Sequence, residues 1–195
     1  MRNILSVYCL WNVCGLIMNV GRIINFACCN FISLMDEDKV VSKVVSKVAH
    51  SLGYTLKPEQ KRSLLEFIAG KDVFISLPTG FGKSLCYILL PPIFDLLRGV
   101  ERKCIVLVVS PLIALMKDQV SAITAIGLSA AFISDQASTI PAVSLEIKNG
   151  DYQIVFISPE ALFLTTRWRN MLCSNVYRSH LVGFIVDEAH CVKKW

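Results

Sequence analysis

A short apolar run, Val73-Phe74-Ile75-Ser76-Leu77, empties into Pro78-Thr79-Gly80-Phe81-Gly82-Lys83-Ser84, and no other stretch constrains the fold as tightly. The run reads as a buried strand, and the residues after it as a glycine turn opening a helix. In such a unit the backbone N–H groups of the turn and the helix N-terminus form an anion cradle. Gly80 and Gly82 let the backbone approach a phosphate closely. Lys83 would reach the β- and γ-phosphates of a nucleotide, and the Ser84 hydroxyl would hold Mg²⁺. The strict phosphate-loop pattern has Gly at its first position, where this chain has Leu77. The alternative is an ordinary glycine turn with an exposed lysine. Against it stands the context, since Gly-Lys-Ser follows an apolar strand and opens a helix, as the motif requires.

Around this unit helices and strands alternate. Val40, Val41, Val44, Val45 and Val48 recur at helical spacing and predict an amphipathic helix ending near Gly53. A second helix is expected from Pro58 to Gly70, and a third from about Gly82 to Leu90, stopped by Pro91-Pro92. Further strands are expected at Cys104–Val109, Ala130–Ile133, Ile154–Ile157 and Leu181–Val186, with helices at about Leu112–Ala125 and Ala142–Lys148. Strands separated by helices predict an α/β fold, a parallel sheet covered by helices on both faces.

Composition bounds the reading. The 195 residues suffice for one domain with a core, and 54% apolar with 18% charged residues excludes a disordered chain. A net charge of +5 is too mild to identify a nucleic-acid binder by itself. None of the eight cysteines forms a C-x-x-C pair, so no zinc site is expected and the thiols read as reduced. The first 34 residues differ from the rest. They hold no acidic residue, only Arg2 and Arg22 as basic ones, and four of the cysteines. Three readings compete: a membrane anchor, a packed core helix, or sequence outside the fold. Ser6, Asn12 and Asn19 interrupt the uncharged run and weigh against a membrane span. Met35 is followed by Asp36-Glu37-Asp38, an acidic opening suited to a helix start. Residues 1–34 are therefore expected to stand outside a domain covering 35–195.

A second chemical site closes the last strand, at Ile185-Val186-Asp187-Glu188-Ala189-His190. Asp187 is expected to ligate the nucleotide's Mg²⁺ through water, and Glu188 to orient and deprotonate the attacking water. His190 lies beyond both, as a relay more than a direct catalyst. Two loops follow other strands: Ser110-Pro111 with Gln119 further along its helix, and Ser158-Pro159-Glu160. They read equally well as ordinary helix caps and as helix N-termini that grip a phosphate backbone.

In this order LPTGFGKSLCY, VVSPLIALMKDQV, ISPEAL and VDEAHC resemble the RecQ family of superfamily 2 DNA helicases, over residues 53–195. Members of that superfamily vary at the position of Leu77. The resemblance implies a RecA-like lobe that binds ATP and Mg²⁺ through Pro78, Thr79, Gly80, Phe81, Gly82, Lys83, Ser84 and Asp187. It implies that Gln60, 23 residues before Lys83, reads the adenine edge, with Lys57 where the family has Arg. It implies DNA contacts from Ser110, Pro111, Gln119, Ser158, Pro159, Glu160 and Trp195, the last matching the first aromatic of the family's coupling loop. The implied activity is 3′ to 5′ ATP-dependent unwinding of DNA in the nucleus. Family members carry a second RecA-like lobe with an arginine finger, which these 195 residues do not include. The isolated chain is thus expected to bind nucleotide weakly, hydrolyse little and unwind nothing. The rival readings are a P-loop ATPase that does not move on DNA, and a truncated nucleic-acid-binding remnant.

Overall fold

The computed structural model describes residues 4–10, 37–134 and 141–188. Six strands form one sheet in the order β2-β1-β6-β3-β5-β4. They are β1 (Ile4–Leu10), β2 (Val73–Pro78), β3 (Ile105–Val109), β4 (Ala130–Ile133), β5 (Ile154–Ile157) and β6 (Leu181–Val186). Strands β6, β3, β5 and β4 pair in parallel. β1 pairs antiparallel with both β2 and β6, so β2 and β6 run in the same sense on either side of it. Where the expectation set residues 1–34 outside the fold, Ile4–Leu10 form a strand inside the sheet, and an antiparallel one. The physical reason is pairing: β1 supplies ladder partners to β2 and β6, which do not pair with each other.

The helices are α1 (Glu37–Ser51), α2 (Pro58–Ile68), α3 (Leu85–Ile88), α4 (Leu90–Arg98), α5 (Ile113–Ala125), α6 (Pro141–Asn149), α7 (Pro159–Leu164), α8 (Thr166–Leu172) and α9 (Asn175–His180). Every residue of β3, β5 and β6 is buried. Successive strand residues point to opposite faces, so both faces of the sheet are covered there. On one face, a Cβ added at Gly183 of β6 would stand 3.4 Å from Leu90, Phe67 and Val106, which fixes α4 and α2 against that strand. The Tyr177 hydroxyl of α9 donates to the Ile147 carbonyl of α6 at 2.7 Å.

Pro91-Pro92 do not end a helix as expected. α3 is a single turn, and α4 starts at Leu90 with the prolines in its own first turn. There the missing N–H groups are ones a helix leaves unpaired anyway. α4 ends at Gly99 in the left-handed region (φ 64°). Near that end the buried Asp95 carboxylate accepts from the backbone N–H of Lys103 (3.1 Å) and Cys104 (2.8 Å) and from Gln153 Nε2 (3.3 Å). One side chain thereby ties α4 to the starts of β3 and β5, at the end of the sheet away from the phosphate loop. Among the described residues, no helix is long and apolar enough to cross a membrane.

Candidate nucleotide site and nucleic-acid face

The phosphate loop leaves the carboxyl end of β2. Gly80 and Gly82 both adopt left-handed backbone, at φ 79° and 82°. An L side chain resists that conformation, so the loop's path depends on glycine at these two points. Phe81 N–H donates to the Pro78 carbonyl, and Leu85 and Cys86 N–H donate to Gly82 and Lys83. The Lys83 ammonium is folded over the turn, donating to the carbonyls of Leu77 (2.9 Å) and Pro78 (3.0 Å), and the residue is 7% exposed. Ser84 stands at the N-cap of α3. Beyond it, burial pushes the Cys86 thiol up to about 12, and the side chain packs as an apolar one.

Gln60 is buried against this loop. Its Oε1 accepts from the Lys57 N–H at 2.9 Å, the half of a capping box that starts α2. Its Nε2 donates to the carbonyls of Phe81 and Gly82, both at 3.0 Å. Only this orientation of the amide matches donors to acceptors throughout. Lys57 Nζ lies 3.8 Å from the centroid of the Phe81 ring, a cation–π contact. Lys57 is thus a loop contact that sequence reasoning registered only as a departure from Arg. The signal available was its position as the residue before Pro58 at a helix start.

At the end of β6, Asp187 and Glu188 are each 7% exposed. Asp187 Oδ1 accepts from the Glu188 N–H at 3.0 Å, and Glu188 has φ 54°. A non-glycine residue held in the left-handed region stores strain of the kind that collects at functional sites. Four strand ends, β6, β3, β5 and β4, are stitched across the carboxyl edge. Asp187 N–H donates to Val109, Ser110 N–H to Ile157, and Ser158 N–H to Ile133, at 2.9 to 3.0 Å. Asp187, Ser110 and Ser158 therefore stand in a row, and β2 points its own end to the same edge. Along β1, Pro78 is level with Ile4 and Val186 with Tyr8, so β2 extends four residues further.

The two loop serines are buried, at 1% exposure each. Ser158 Oγ accepts from the Ala161 N–H at 3.2 Å and caps α7, and Pro159 is buried beside it. Among the described residues, Ser110 Oγ has no hydrogen-bond partner. Glu160 is exposed, while Pro111 and Gln119 are half-buried. Thr79 is exposed on the loop. His190 and Trp195 lie outside the described residues.

The donor set suits a nucleoside triphosphate with its Mg²⁺. A lysine ammonium and two glycines with freely turned backbone stand on one strand end, and two carboxylates stand on another that faces the same way. Nothing crowds a Cβ at Gly80, whereas one at Gly82 would press on Gln60 Nε2 at 2.8 Å.

Residues 57–195 match the family model described as DEAD/DEAH box helicase. The chain is 30% identical over 160 residues to the RecQ-like DNA helicase BLM of Xenopus laevis, covering 79% of this chain and 11% of that protein. It is 34% identical over 142 residues to the ATP-dependent helicase SGS1 of Saccharomyces cerevisiae, covering 71% and 10%. It is 33% identical over 158 residues to the ATP-dependent DNA helicase Q1 of Rattus norvegicus, covering 76% and 24%. The chain thus spans between a tenth and a quarter of the length of these relatives. With most of its residues inside the family match, it belongs to the DEAD/DEAH box helicase family and is of the RecQ type.

Proposed function

We propose that the chain is the first motor lobe of an ATP-dependent DNA helicase that works in the nucleus, 3′ to 5′ as the resemblance implies. What supports this reading is the end-on arrangement of the sheet. Lys83 follows one strand, Asp187 and Glu188 follow another running in the same sense, and a single carboxyl edge carries both. Lys83 exchanges its two carbonyl partners for phosphate oxygens, and loop N–H groups complete the cradle. Ser84 and Asp187 would hold the Mg²⁺, which would supply neutralisation of the phosphate charge. Glu188 takes the proton from the attacking water, and His190 relays the state of the site. The Gln60 amide trades its loop carbonyls for the adenine edge. Pro111, Gln119, Glu160 and Trp195 meet the DNA backbone, with Ser110 and Ser158 shaping the loops from beneath.

The test is Lys83→Ala, read by titration of a fluorescent ATP analogue and of labelled DNA. A charge-assisted hydrogen bond is worth about 1.5–3 kcal/mol, so nucleotide affinity should fall roughly 10- to 100-fold with DNA affinity kept. An unchanged nucleotide affinity would overturn the site. DNA bound with no nucleotide bound by the unaltered chain would favour the remnant reading instead.

A further inference from the structure

We infer that the outer face of α1 is a docking track for the phosphate backbone of a nucleic acid, separate from the carboxyl-edge loops and outside the matched residues 57–195. The inference rests on the reading of the chain as a DNA motor lobe. Lys39, Lys43 and Lys47 recur every four residues along α1, and all three are exposed. A step of four residues keeps side chains on one face of a helix. The buried Val45, Val48 and Ala49 fix which face of α1 turns inward, so the lysines cannot turn away from solvent. From the first to the third the helix rises about 12 Å, a distance that passes three to four phosphates of one strand of a duplex.

The array repels itself. The positions three and four residues from Lys43 hold Lys39, Val40, Ser46 and Lys47, and those around Lys47 hold Lys43, Val44, His50 and Ser51. None is a carboxylate, and only Lys39, at the start of the row, has one at this spacing in sequence, Asp36. Like charges at this spacing destabilise a helix, and a polyanion laid along the face removes that cost. The track also continues towards the site. Lys61 Nζ of α2 donates to Ser46 Oγ at 3.1 Å, which adds a fourth ammonium between Lys43 and Lys47. Lys57 stands one turn before Lys61 and rests on Phe81 of the phosphate loop. The row of lysines thus runs from α1 to the flank of the phosphate loop. Such phosphate contacts fix position and carry no sequence information.

The experiment titrates the 195-residue chain with a fluorescein-labelled duplex bearing a single-stranded tail, at several salt concentrations. Lys39→Gln/Lys43→Gln/Lys47→Gln should lower the slope of log K against log salt by about 2 to 3, equally on unrelated sequences. Its affinity for the fluorescent ATP analogue should not change, and its melting temperature should hold or rise slightly as the like-charge repulsion is relieved. An equal-charge control on other elements, Lys103→Gln/Arg169→Gln/Arg178→Gln, should move the slope less. If the triple variant melts early, the single Lys43→Gln, expected to lower the slope by about 1, decides. An unaltered slope, or an equal loss in the control, overturns the track while leaving the motor reading in place. No DNA binding by the unaltered chain overturns both. A loss of binding to phosphatidylserine vesicles with DNA binding kept would assign the face to a membrane and overturn the inference.

Discussion

Gly80 and Gly82 share a backbone conformation and differ in what surrounds them. At Gly80 a Cβ meets open space, so alanine there brings only the left-handed penalty, about 1–2 kcal/mol. At Gly82 the same penalty is joined by a contact of 2.8 Å with Gln60 Nε2, whose amide holds the loop through Phe81 and Gly82. Gly82→Ala should therefore weaken nucleotide binding about tenfold more than Gly80→Ala. Combined with Gln60→Ala, part of that excess should vanish, with a coupling between about 0.5 and 3 kcal/mol in a double-mutant cycle on nucleotide affinity. Strict additivity would mean that Gln60 and the loop act independently. The placement of Lys83, Asp187 and Glu188 just beyond strand ends was legible in the sequence because each follows an apolar run. The present partners of Gln60 were not legible, because they depend on how α2 packs against the loop. The burial of Ser110 and Ser158 was hidden for the same reason. A serine before a helix reads alike whether its hydroxyl faces solvent or, as in Ser158, caps the helix.

The elements that the sequence shows well are those with strong period and clear punctuation. β4, β5 and β6 lie where the apolar runs put them, and α2 starts at Pro58. The segment 159–180 splits into three helices of six or seven residues, too short for a helical period to emerge. Pro91-Pro92 misled because proline stops a helix from within and starts one from its first turn. β1 is the largest departure. Its residues gave no turn signal, and its partners are more than 60 residues away in sequence. A chain begun at Met35 lacks β1 and should, on the present pairing, be less stable than the whole. β2 would lose all six of its register partners in β1, and β6 would lose three. At about 1 kcal/mol net per ladder hydrogen bond, the loss is on the order of 5 kcal/mol. The bared edges of β2 and β6 would also invite association. Chemical denaturation and light scattering of the shortened chain measure both effects. Equal stability without aggregation would show that β1 contributes nothing to the fold.

At the scale of the whole molecule the two ends of the sheet have different tasks. At one end Asp95 ties α4 to the residues leading into β3 and β5 through three hydrogen bonds. At the other end the strands release loops that carry Lys83, Asp187 and Glu188, and Gly80, Gly82 and Glu188 adopt left-handed backbone there. Such an edge can hold a nucleotide on one side only. Lys83, Asp187 and Glu188 all belong to this sheet, so no group on these elements reaches the phosphates from the opposite direction. Phosphoryl transfer of this type is quickened about 10³- to 10⁵-fold by an arginine that approaches from another lobe. Opening and closing of two lobes is also what turns hydrolysis into movement. The chain by itself should therefore bind the ATP analogue yet release phosphate slowly, with little response to single-stranded DNA. Joined to the second RecA-like lobe of a RecQ relative, it should gain at least about 10³-fold in phosphate release, and the gain should depend on DNA and weaken as salt rises. Glu188→Gln in the joined protein should abolish the gain and leave nucleotide affinity intact. A joined protein with restored hydrolysis but no response to DNA would identify a nucleotide switch in place of a translocating motor.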